Sequence, residues 1–292
     1  MQIINSILKR FLRLPIAYYF IKTTFLFHIK KVRRAVWLPE FVKVKGSKII
    51  FKSDTSIPRI ADLHFLGWKS LKDYFSLSIL RKLASKSDVI FDVGADIGIV
   101  SLYISDANPF AKIFSFEPSS HSFPVLLNLI KKNKNESIIP VKMAVGAKNS
   151  SEIFYYSPVN SVISSLAPRA GFIEEKVNVT TIEFFCRQNK INKIDLIKID
   201  VEGFESEVIA GFGEEITLSR PIIFAEVLNE SNGMKIARVL PKDYRFFRII
   251  EENKILREDQ KIDRTSNMSN NYLLMPREKL SVLNELKLRT KN

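Results

Sequence analysis

The stretch that decides the fold is residues 88–98, which read Asp-Val-Ile-Phe-Asp-Val-Gly-Ala-Asp-Ile-Gly. An apolar run over residues 89–93 leads into two glycines, Gly94 and Gly98, and an amphipathic segment begins after them. Strand, glycine turn and helix in this order are typical of the first β-α unit of a nucleotide-binding domain. We expect Gly94 to allow a sharp turn and Gly98 to let the start of the helix approach a ligand.

Two acids in the same stretch, Asp92 and Asp96, bear on the identity of the ligand. The dinucleotide fingerprint has glycine at the position of Asp96, so that a pyrophosphate can rest against bare backbone. Carboxylates at this place repel a diphosphate but suit a ligand that carries an ammonium or a sulfonium group. We therefore expect S-adenosylmethionine rather than NAD, and an ordinary β-α turn with helix-capping acids is the alternative.

Length and composition limit the fold classes and the kinds of site that the chain can form. With 292 residues and 46% hydrophobic content, the chain can form one large α/β domain with additions, or two small ones. A single cysteine, Cys186, excludes an internal disulfide framework and a cysteine zinc cluster. The three histidines are scattered, and we assign no metal ligands. A reducing compartment fits this composition, so we expect a cytoplasmic protein.

The positive charge is concentrated at the N-terminus. Residues 1–50 contain eleven Lys and Arg residues and one acid, Glu40, and so carry +10 of the net charge of +14. This segment lacks the pattern of a nucleic-acid-binding module, and we expect no nucleic-acid partner. Attraction to an anionic membrane surface or an acidic glycan is an equal alternative, and a plain solvated basic face is the other interpretation.

Residues 1–34 are apolar and basic, but Lys22 interrupts the longest apolar stretch, so a membrane-spanning helix is not expected. No small-residue cleavage site follows, which argues against a signal peptide. We favour a helical arm that packs on the body or on a second subunit. Peripheral membrane association through residues 1–34 remains the alternative. The predicted oligomeric state is open.

From Asp88 onward, strands and helices alternate. We predict strands at seven apolar runs, with helices between them and a strand-rich insertion at 152–156 and 176–180. This alternation predicts a mostly parallel sheet covered by helices on both faces. The predicted domains are an N-terminal arm with entry helices (1–85), an α/β domain (86–276) and a basic, helical tail (277–292). The predicted strands are 89–93, 113–116, 138–144, 195–200, 221–227, 246–250 and 272–275.

Residues after the second and third predicted strands add to the ligand site. Glu117 follows the second strand, where a carboxylate can accept hydrogen bonds from both hydroxyls of a ribose. Its spacing from Gly98 would suit NAD equally, so Asp96 remains the residue that discriminates. Met143 and Ala144 end the third strand, and we interpret them either as a contact for adenine or as plain strand core.

The end of the fourth predicted strand is rich in acids. Lys198 and Asp200 are two residues apart and so share one strand face. Asp200, Glu202 and Glu205 then cluster where ligands bind in open α/β sheets. One of the first two, Asp200 or Glu202, could act as general base for an acceptor hydroxyl, and helix-initiating acids are the alternative. Glu226 ends the fifth strand, where it could join Asp200, hold a divalent ion with it, or serve as a structural acid.

Four motifs together carry a resemblance: 92–98, Phe116-Glu117-Pro118, residues 143–146 and above all Lys-Ile-Asp-Val-Glu-Gly-Phe-Glu over 198–205. In this order they resemble the FkbM family of S-adenosylmethionine-dependent methyltransferases, over roughly half of the chain. The resemblance implies a class I methyltransferase (Rossmann-like) fold with seven strands, the last antiparallel. Family members usually carry Asn where this chain has Asp96. Ser161 and residues 164–166 resemble the family's serine stretch.

The resemblance also implies an activity, O-methylation of a hydroxyl on a saccharide, glycan or similar metabolite. S-adenosylmethionine would be bound by Asp92, Gly94, Asp96, Gly98, Glu117, Met143, Ala144 and Asp200, with Asp200 and Glu202 as catalytic candidates. Two other hypotheses stay open. One is a nucleotide-dependent oxidoreductase that uses NAD, and the other is a non-catalytic membrane- or glycan-associated protein that has kept the fold.

Overall fold

The computed structural model describes residues 14, 17, 38–53, 58–157, 166–168, 170–262 and 270–291. These belong to two compact units, residues 1–74 and 75–292. The domain boundary that we predict from the sequence lies at residues 85–86. Apart from Leu14 and Ala17, the predicted arm over residues 1–34 lies outside the described residues.

The described part of the first unit begins with an antiparallel hairpin of β1 (Phe41–Lys43) and β2 (Ile50–Lys52). Helix α1 (Pro58–Leu66) and a 3-10 turn (Trp68–Ser70) follow. The ring of Phe51 meets that of Trp68 edge-on, with centroids 6.1 Å apart, so the hairpin and the turn share an aromatic contact.

The second unit contains twelve strands in its described part, and most of them lie within two residues of the predicted positions. The predicted strand 138–144 is divided in two, because the chain turns at residues 142–143 and enters another sheet. The strands are β3 (Val89–Val93), β4 (Lys112–Phe116), β5 (Ile138–Val141), β6 (Ala144–Val145), β7 (Ser150–Tyr156), β8 (Ile173–Thr180), β9 (Leu196–Ile199), β10 (Ile222–Glu226), β11 (Tyr244–Ile250), β12 (Ile255–Asp259), β13 (Asn271–Pro276) and β14 (Thr290–Lys291).

The helices of this unit are short. The longest has 11 residues, and within the described ranges no helix has the length and apolar character needed to cross a bilayer. They are α2 (Tyr74–Ala84), which starts at the division between the units, α3 (Ile99–Ser105), α4 (Phe123–Lys132), α5 (Ile182–Asn189), α6 (Glu205–Ala210), α7 (Glu215–Ser219), α8 (Glu230–Val239) and α9 (Ser281–Glu285).

The central sheet has the order β5-β4-β3-β9-β10-β13-β11-β12-β14. Strands β5, β4, β3, β9 and β10 are parallel, and β13 runs antiparallel between β10 and β11. This order, with the seventh strand reversed, is the class I methyltransferase fold, and the prediction is confirmed. The described sheet is wider than the seven strands we predicted. Strand β12 pairs with β11, and β14 adds part of the predicted helical tail to the edge.

A second sheet, β6-β8-β7, is formed by the insertion. Strands β7 and β8 are antiparallel, and β8 runs parallel to the two-residue β6. Phe154, Val177 and Val179 form its small apolar core with Ala144. Because Ala144 directly follows β5 across a short turn, the insertion is tied to the edge of the central sheet.

The two faces of the central strands differ in character. On one face, Phe91, Phe114 and Phe116 pack around Phe185 of α5, with ring centroids 4.8 to 5.8 Å from it. The alternate residues point to the other face, where Asp92 lies beside Ser115 on β4 and beside Lys198 on β9. A polar row therefore crosses three buried strands beneath α3.

Candidate active site at the carboxyl edge of the central sheet

A cleft lies where the order of the strands reverses. From β3 the chain moves to β4 on one side, and it later returns to β9 on the other. In open α/β sheets, ligands bind outside the carboxyl ends of the strands at this point. The cleft contains about 650 Å³ of empty space, which includes space open to solvent. It is lined by Val93, Gly94, Asp96, Phe116, Glu117, Pro118, Met143, Ala144, Val145, Phe154, Leu166, Asp200, Val201, Glu202 and Phe204.

The turn after β3 brings two strand ends together. Gly94 has a φ of +78°, and a side chain there would place its Cβ 1.9 Å from the carbonyl oxygen of Asp200. Only glycine fits this approach. The backbone N–H groups of Gly94 and Ala95 both donate to the carbonyl oxygen of Phe116, so the turn is anchored to the end of β4 as well. Asp96, with a φ of +48°, completes the turn and faces the cleft.

Gly98 packs closely against a neighbouring helix. Its φ is +87°, and an added Cβ would lie 2.4 Å from Cδ1 of Leu126 on α4. Gly98 is absent from the cleft lining, and its expected approach to a ligand stays a prediction. The close neighbour of Gly98 is the helix α4, whose position it sets.

Asp92 is likewise not a cleft residue. It is fully buried, and its Oδ2 accepts a 2.5 Å hydrogen bond from the Ser101 hydroxyl of α3. Its Oδ1 lies 3.3 Å from the ammonium of Lys198, which also donates to the carbonyl oxygen of Gly94 at 3.0 Å. A direct contact of Asp92 with a ligand, as we expected, therefore does not fit its position. Asp92 holds the turn in place through Lys198.

Lys198 also links this row to the cleft. Its ammonium lies 3.4 Å from Oδ2 of Asp200, which confirms that the two side chains share one strand face. Burial alone would lower the pKa of Lys198, but the charges of Asp92 and Asp200 outweigh it and raise that pKa. Lys198 therefore stays charged and attracts both carboxylates.

Glu117 is a buried carboxyl group held by the backbone. The amide of Asp96 donates to its Oε2 and the amide of Ser119 to its Oε1, both at 2.9 Å. Burial raises the pKa of Glu117 to about 8, and the nearby charge of Asp96 adds to this, although the amide hydrogen bonds oppose it. The carboxyl group therefore has a fixed orientation at the cleft and an unusually high affinity for a proton.

Asp96 is anchored to the helix that follows Glu117. Its Oδ1 accepts a 2.8 Å hydrogen bond from the hydroxyl of Ser122, next to the start of α4. An asparagine side-chain oxygen could accept the same bond. The position where this chain departs from the usual family residue therefore keeps the same local hydrogen bond available.

One end of the cleft is apolar. Met143 and Ala144 line it as predicted, together with Phe154 of β7 and Leu166. Sequence reasoning missed Phe154 as a cleft residue, because its strand alternates like any half-exposed strand. Leu166 is the described member of the serine stretch 164–166 that resembles the family motif, whereas Ser161, Ser164 and Ser165 lie outside the described residues.

The acidic loop after β9 contains two acids that reach the cleft and one that does not. Asp200 and Glu202 line it, and Glu202 has a left-handed φ of +56°. Glu205 is fully buried, and its Oε1 accepts hydrogen bonds from the amides of Val201 at 3.2 Å and Gly203 at 3.0 Å. Asn232 of α8 donates to its other oxygen. Glu205 therefore shapes the loop that presents Asp200 and Glu202.

Glu226 stands beside Asp200. Ile199 and Ala225 are paired across β9 and β10, so the next residues, Asp200 and Glu226, leave the sheet side by side. Burial raises the pKa of Glu226 to about 8, and the negative charge of Asp200 contributes. In the described ranges, no group of three or more His, Cys, Asp and Glu is arranged to hold a metal ion.

This geometry agrees with a family relationship. Residues 92–254, more than half of the chain, match the model of the methyltransferase FkbM domain. The chain belongs to the FkbM methyltransferase family. The match includes Asp92, Glu117, Asp200 and Glu226. Family membership favours methyl transfer over the NAD-dependent oxidoreductase that the spacing of Glu117 had left open.

Two named relatives and one solved structure are similar to this chain. The chain is 26% identical over 234 residues to the hexuronic acid methyltransferase AglP of Haloferax volcanii, covering 79% of this chain and 87% of that protein. It is 29% identical over 161 residues to the methyltransferase sdnD of Sordaria araneosa, covering 43% of this chain and 61% of that protein. A crystal structure of methyltransferase FkbM from Methylobacillus flagellatus aligns with a TM-score of 0.43 and 14% identity, over 77% of this chain and 56% of that one.

Proposed function

We propose that this protein is an S-adenosylmethionine-dependent O-methyltransferase that methylates a hydroxyl group of a saccharide or glycan. The observation that carries the proposal is the position of Glu117, a buried carboxyl group that opens to the cleft beside the Gly94–Asp96 turn. Its two oxygens, already oriented by backbone amides, suit the two hydroxyls of a ribose. The relationship to a hexuronic acid methyltransferase supports a saccharide acceptor.

The residues of the cleft fit the cofactor chemically. S-adenosylmethionine supplies a methyl group on a positively charged sulfonium, and carboxyl groups at the cleft stabilise positive charge. Asp96, Glu117, Asp200 and Glu202 line it. In this assignment Met143 and Ala144 pack against the adenine, and Asp200 or Glu202 takes the proton of the acceptor hydroxyl. Gly98 packs against Leu126 of α4, and Asp92 pairs with Lys198, which holds the turn at Gly94.

Cofactor binding separates the proposal from its alternatives. Isothermal titration of the full chain with S-adenosylmethionine and, separately, with NAD should show binding of the first and none of the second. NAD binding without S-adenosylmethionine binding would return the oxidoreductase hypothesis. Neither binding, together with vesicle binding that depends on residues 1–34, would support the non-catalytic alternative.

The acceptor is tested by transfer of a labelled methyl group from S-adenosylmethionine to oligosaccharides that end in glucuronic acid or in glucose. A methyl ether on a hydroxyl survives mild alkali, whereas a methyl ester on a carboxyl group is hydrolysed. We expect alkali-stable label on at least one saccharide. Label that mild alkali removes completely would overturn O-methylation of a hydroxyl and indicate a carboxyl methyltransferase.

A further inference from the structure

The insertion sheet contacts the loop that follows Glu117 through one carboxylate. Glu175 of β8 accepts hydrogen bonds from the amide of Ser120 at 2.9 and 3.2 Å and from its hydroxyl at 2.9 Å. The two shorter contacts go to the same oxygen, Oε2. Phe154 lies opposite Glu175 in the antiparallel pair of β7 and β8, so both side chains leave the same face of the sheet. The carboxylate therefore anchors the face from which Phe154 reaches the cleft.

An aromatic contact lies next to this carboxylate along the chain. The ring of His121 stacks on that of Tyr156, with centroids 5.8 Å apart and planes inclined by 15°. Tyr156 follows Phe154 by two residues on β7 and so shares its face, where it packs against the apolar core of the insertion. The insertion sheet therefore meets the loop at two consecutive residues, one through hydrogen bonds and the other through an aromatic stack.

The residues on either side of these contacts hold two acids of the cleft. The amide of Ser119 donates to Oε1 of Glu117 at 2.9 Å, and the hydroxyl of Ser122 donates to Oδ1 of Asp96 at 2.8 Å. Both acids line the cleft. A shift of the loop would move both donors, and with them the orientation of Glu117 on which the proposed ribose contact depends.

We propose that Glu175 is a positioning residue for the cofactor, which holds the insertion sheet and the loop 118–122 together and so fixes both sides of the nucleoside end of the cleft. This inference rests on the proposed function. In that assignment Glu117 binds the ribose, and the apolar end of the cleft takes the adenine. Glu175 itself is absent from the cleft lining, so it acts on the ligand through Ser120 and Phe154.

The contact lies near the surface, which separates its role from that of a core residue. Ser120 is exposed and Glu175 is half-buried, so water can replace the carboxylate at the amide and hydroxyl of Ser120. A hydrogen bond that water can replace contributes little to the net free energy of unfolding. The main result of its loss is a loop and a sheet with more conformational freedom, which the ligand must restrict when it binds. Affinity for the cofactor should fall while the folded state persists.

Titration calorimetry with S-adenosylmethionine measures this effect without an acceptor. Glu175→Ala should bind at least about tenfold more weakly than the wild type. Glu175→Gln keeps one oxygen that can accept both 2.9 Å hydrogen bonds from Ser120, so its Kd should stay within about threefold. A wild-type Kd in Glu175→Ala, or equal losses in the alanine and glutamine variants, would overturn the proposal.

Two controls accompany these variants. Glu174→Ala is the matched control on β8, because Glu174 is exposed and alternates with Glu175 to the opposite face of the strand. Glu252→Gln changes an exposed glutamate in the turn between β11 and β12 and controls for the replacement of a carboxylate by an amide. Both should bind S-adenosylmethionine as the wild type does.

Hydrogen exchange followed by mass spectrometry tests the contact itself in the protein without ligand. Peptides that contain the amide of Ser120 should exchange faster in Glu175→Ala than in Glu174→Ala, because that amide loses its acceptor. Peptides from β10 should keep the wild-type rate, and the urea midpoints of the two variants should agree. Faster exchange throughout the chain, or a lower urea midpoint in Glu175→Ala alone, would show a general structural role and overturn the positioning role.

Kinetics with a saccharide on which the wild type is active separate binding from transfer. Asp200 and Glu202 follow β9 of the central sheet, whereas Glu175 belongs to the second sheet. In Glu175→Ala, KM for the cofactor should rise at least about tenfold, and kcat at saturating cofactor should stay within about threefold of the wild type. A fall in kcat with an unchanged KM would overturn the proposal.

The two proposals fail in different ways. A folded wild type that does not bind S-adenosylmethionine would overturn the proposed function and the role of Glu175 with it. Equal binding by the wild type and Glu175→Ala would overturn the positioning role and leave the proposed function intact. Since the titration needs no acceptor, the role of Glu175 is decided by Kd even where the saccharide assignment is wrong.

Discussion

The two walls of the cleft hold their carboxyl groups in different ways. On the side of β3 and β4, Glu117 is held by the backbone amides of Asp96 and Ser119. On the side of β9 and β10, Asp200 is held by an ionisable side chain, Lys198, and lies beside Glu226. A backbone amide cannot change its protonation state, whereas a side-chain partner can. The first wall is therefore suited to binding in a fixed geometry, and the second to receiving a proton.

The largest effect should come from the residue that joins the walls. Lys198→Met removes the cation between Asp92 and Asp200 and leaves the fully buried Asp92 without its ion-pair partner. We expect the free energy of unfolding to fall by roughly 3–5 kcal/mol. Urea unfolding measures it, with Lys131→Met on the exposed side of α4 as control. A loss no greater than in the control would show that the buried ion pair contributes little.

Replacement of the carboxyl group on the binding wall should mainly affect affinity. Glu117→Gln replaces one carboxyl oxygen with an NH₂ group. One backbone N–H then faces another donor, and the ribose loses one hydrogen-bond acceptor. We expect S-adenosylmethionine to bind at least about 100-fold more weakly, or about 2.7 kcal/mol. Titration calorimetry checks this against Glu252→Gln, and an unchanged Kd would remove Glu117 from the cofactor site.

The raised pKa of Glu117 also predicts a pH dependence of stability. Its pKa is about 8 in the folded chain against 4.5 as the ordinary value. The folded state thus binds the proton more tightly, and the stability that Glu117 contributes below pH 4.5 is lost as the pH rises to 8. The loss is on the order of 1–3 kcal/mol after structural relaxation. Denaturation between pH 5 and pH 9 should show a flatter slope in Glu117→Gln, and an equal slope would contradict this assignment.

Gly98 tests whether packing and binding are separate on the first wall. Gly98→Ala places a Cβ against Leu126 in a backbone conformation that disfavours alanine. We expect a loss of about 1–3 kcal/mol in the free energy of unfolding. The affinity of the folded protein for S-adenosylmethionine should change less than about threefold. A large loss of affinity in protein shown to be folded by circular dichroism would return Gly98 to the binding surface.

The smallest effect is expected at Asp96. Asp96→Asn introduces the residue that the family usually carries and retains an oxygen for the hydroxyl of Ser122. Affinity for S-adenosylmethionine, measured by the same titration, should stay within about threefold of the wild type. A tenfold loss would show that the charge of Asp96 itself, rather than its hydrogen bond, stabilises the ligand.

The central strands could be predicted because they are buried on both faces and read as short apolar runs. Strand β3 was predicted with its observed limits, and β9 and β10 within one residue at each end. Strands β12 and β14 were missed, because Ile255–Asp259 is mostly charged and Thr290–Lys291 is too short to carry a pattern. Edge strands need fewer apolar residues, so hydrophobic pattern identifies them poorly.

The sequence indicated which residues follow the strand ends, but not how deeply each side chain is buried. The strand ends indicated Gly94, Asp96, Glu117, Met143, Ala144, Asp200 and Glu202, and all of them line the cleft. Asp92 lies outside the cleft lining, and a motif alone does not reveal which face of a strand a helix covers. The apolar contributors Phe154 and Leu166 come from the insertion, and only the packing of the second sheet on β5 and β6 brings them to the cleft.

The polar row Ser115–Asp92–Lys198 also bears on how the three central strands find their alignment. Strand side chains alternate between faces, so a shift of β9 by one residue would turn Lys198 toward Phe91 and Phe185. That shift would bury an ammonium group among aromatic rings. It would also leave the carboxylate of Asp92 on the opposite face, separated from Lys198. The charged row therefore favours the observed register of the parallel strands. Because Asp200 lies two residues beyond Lys198, the same register determines how far Asp200, the catalytic candidate, projects into the cleft.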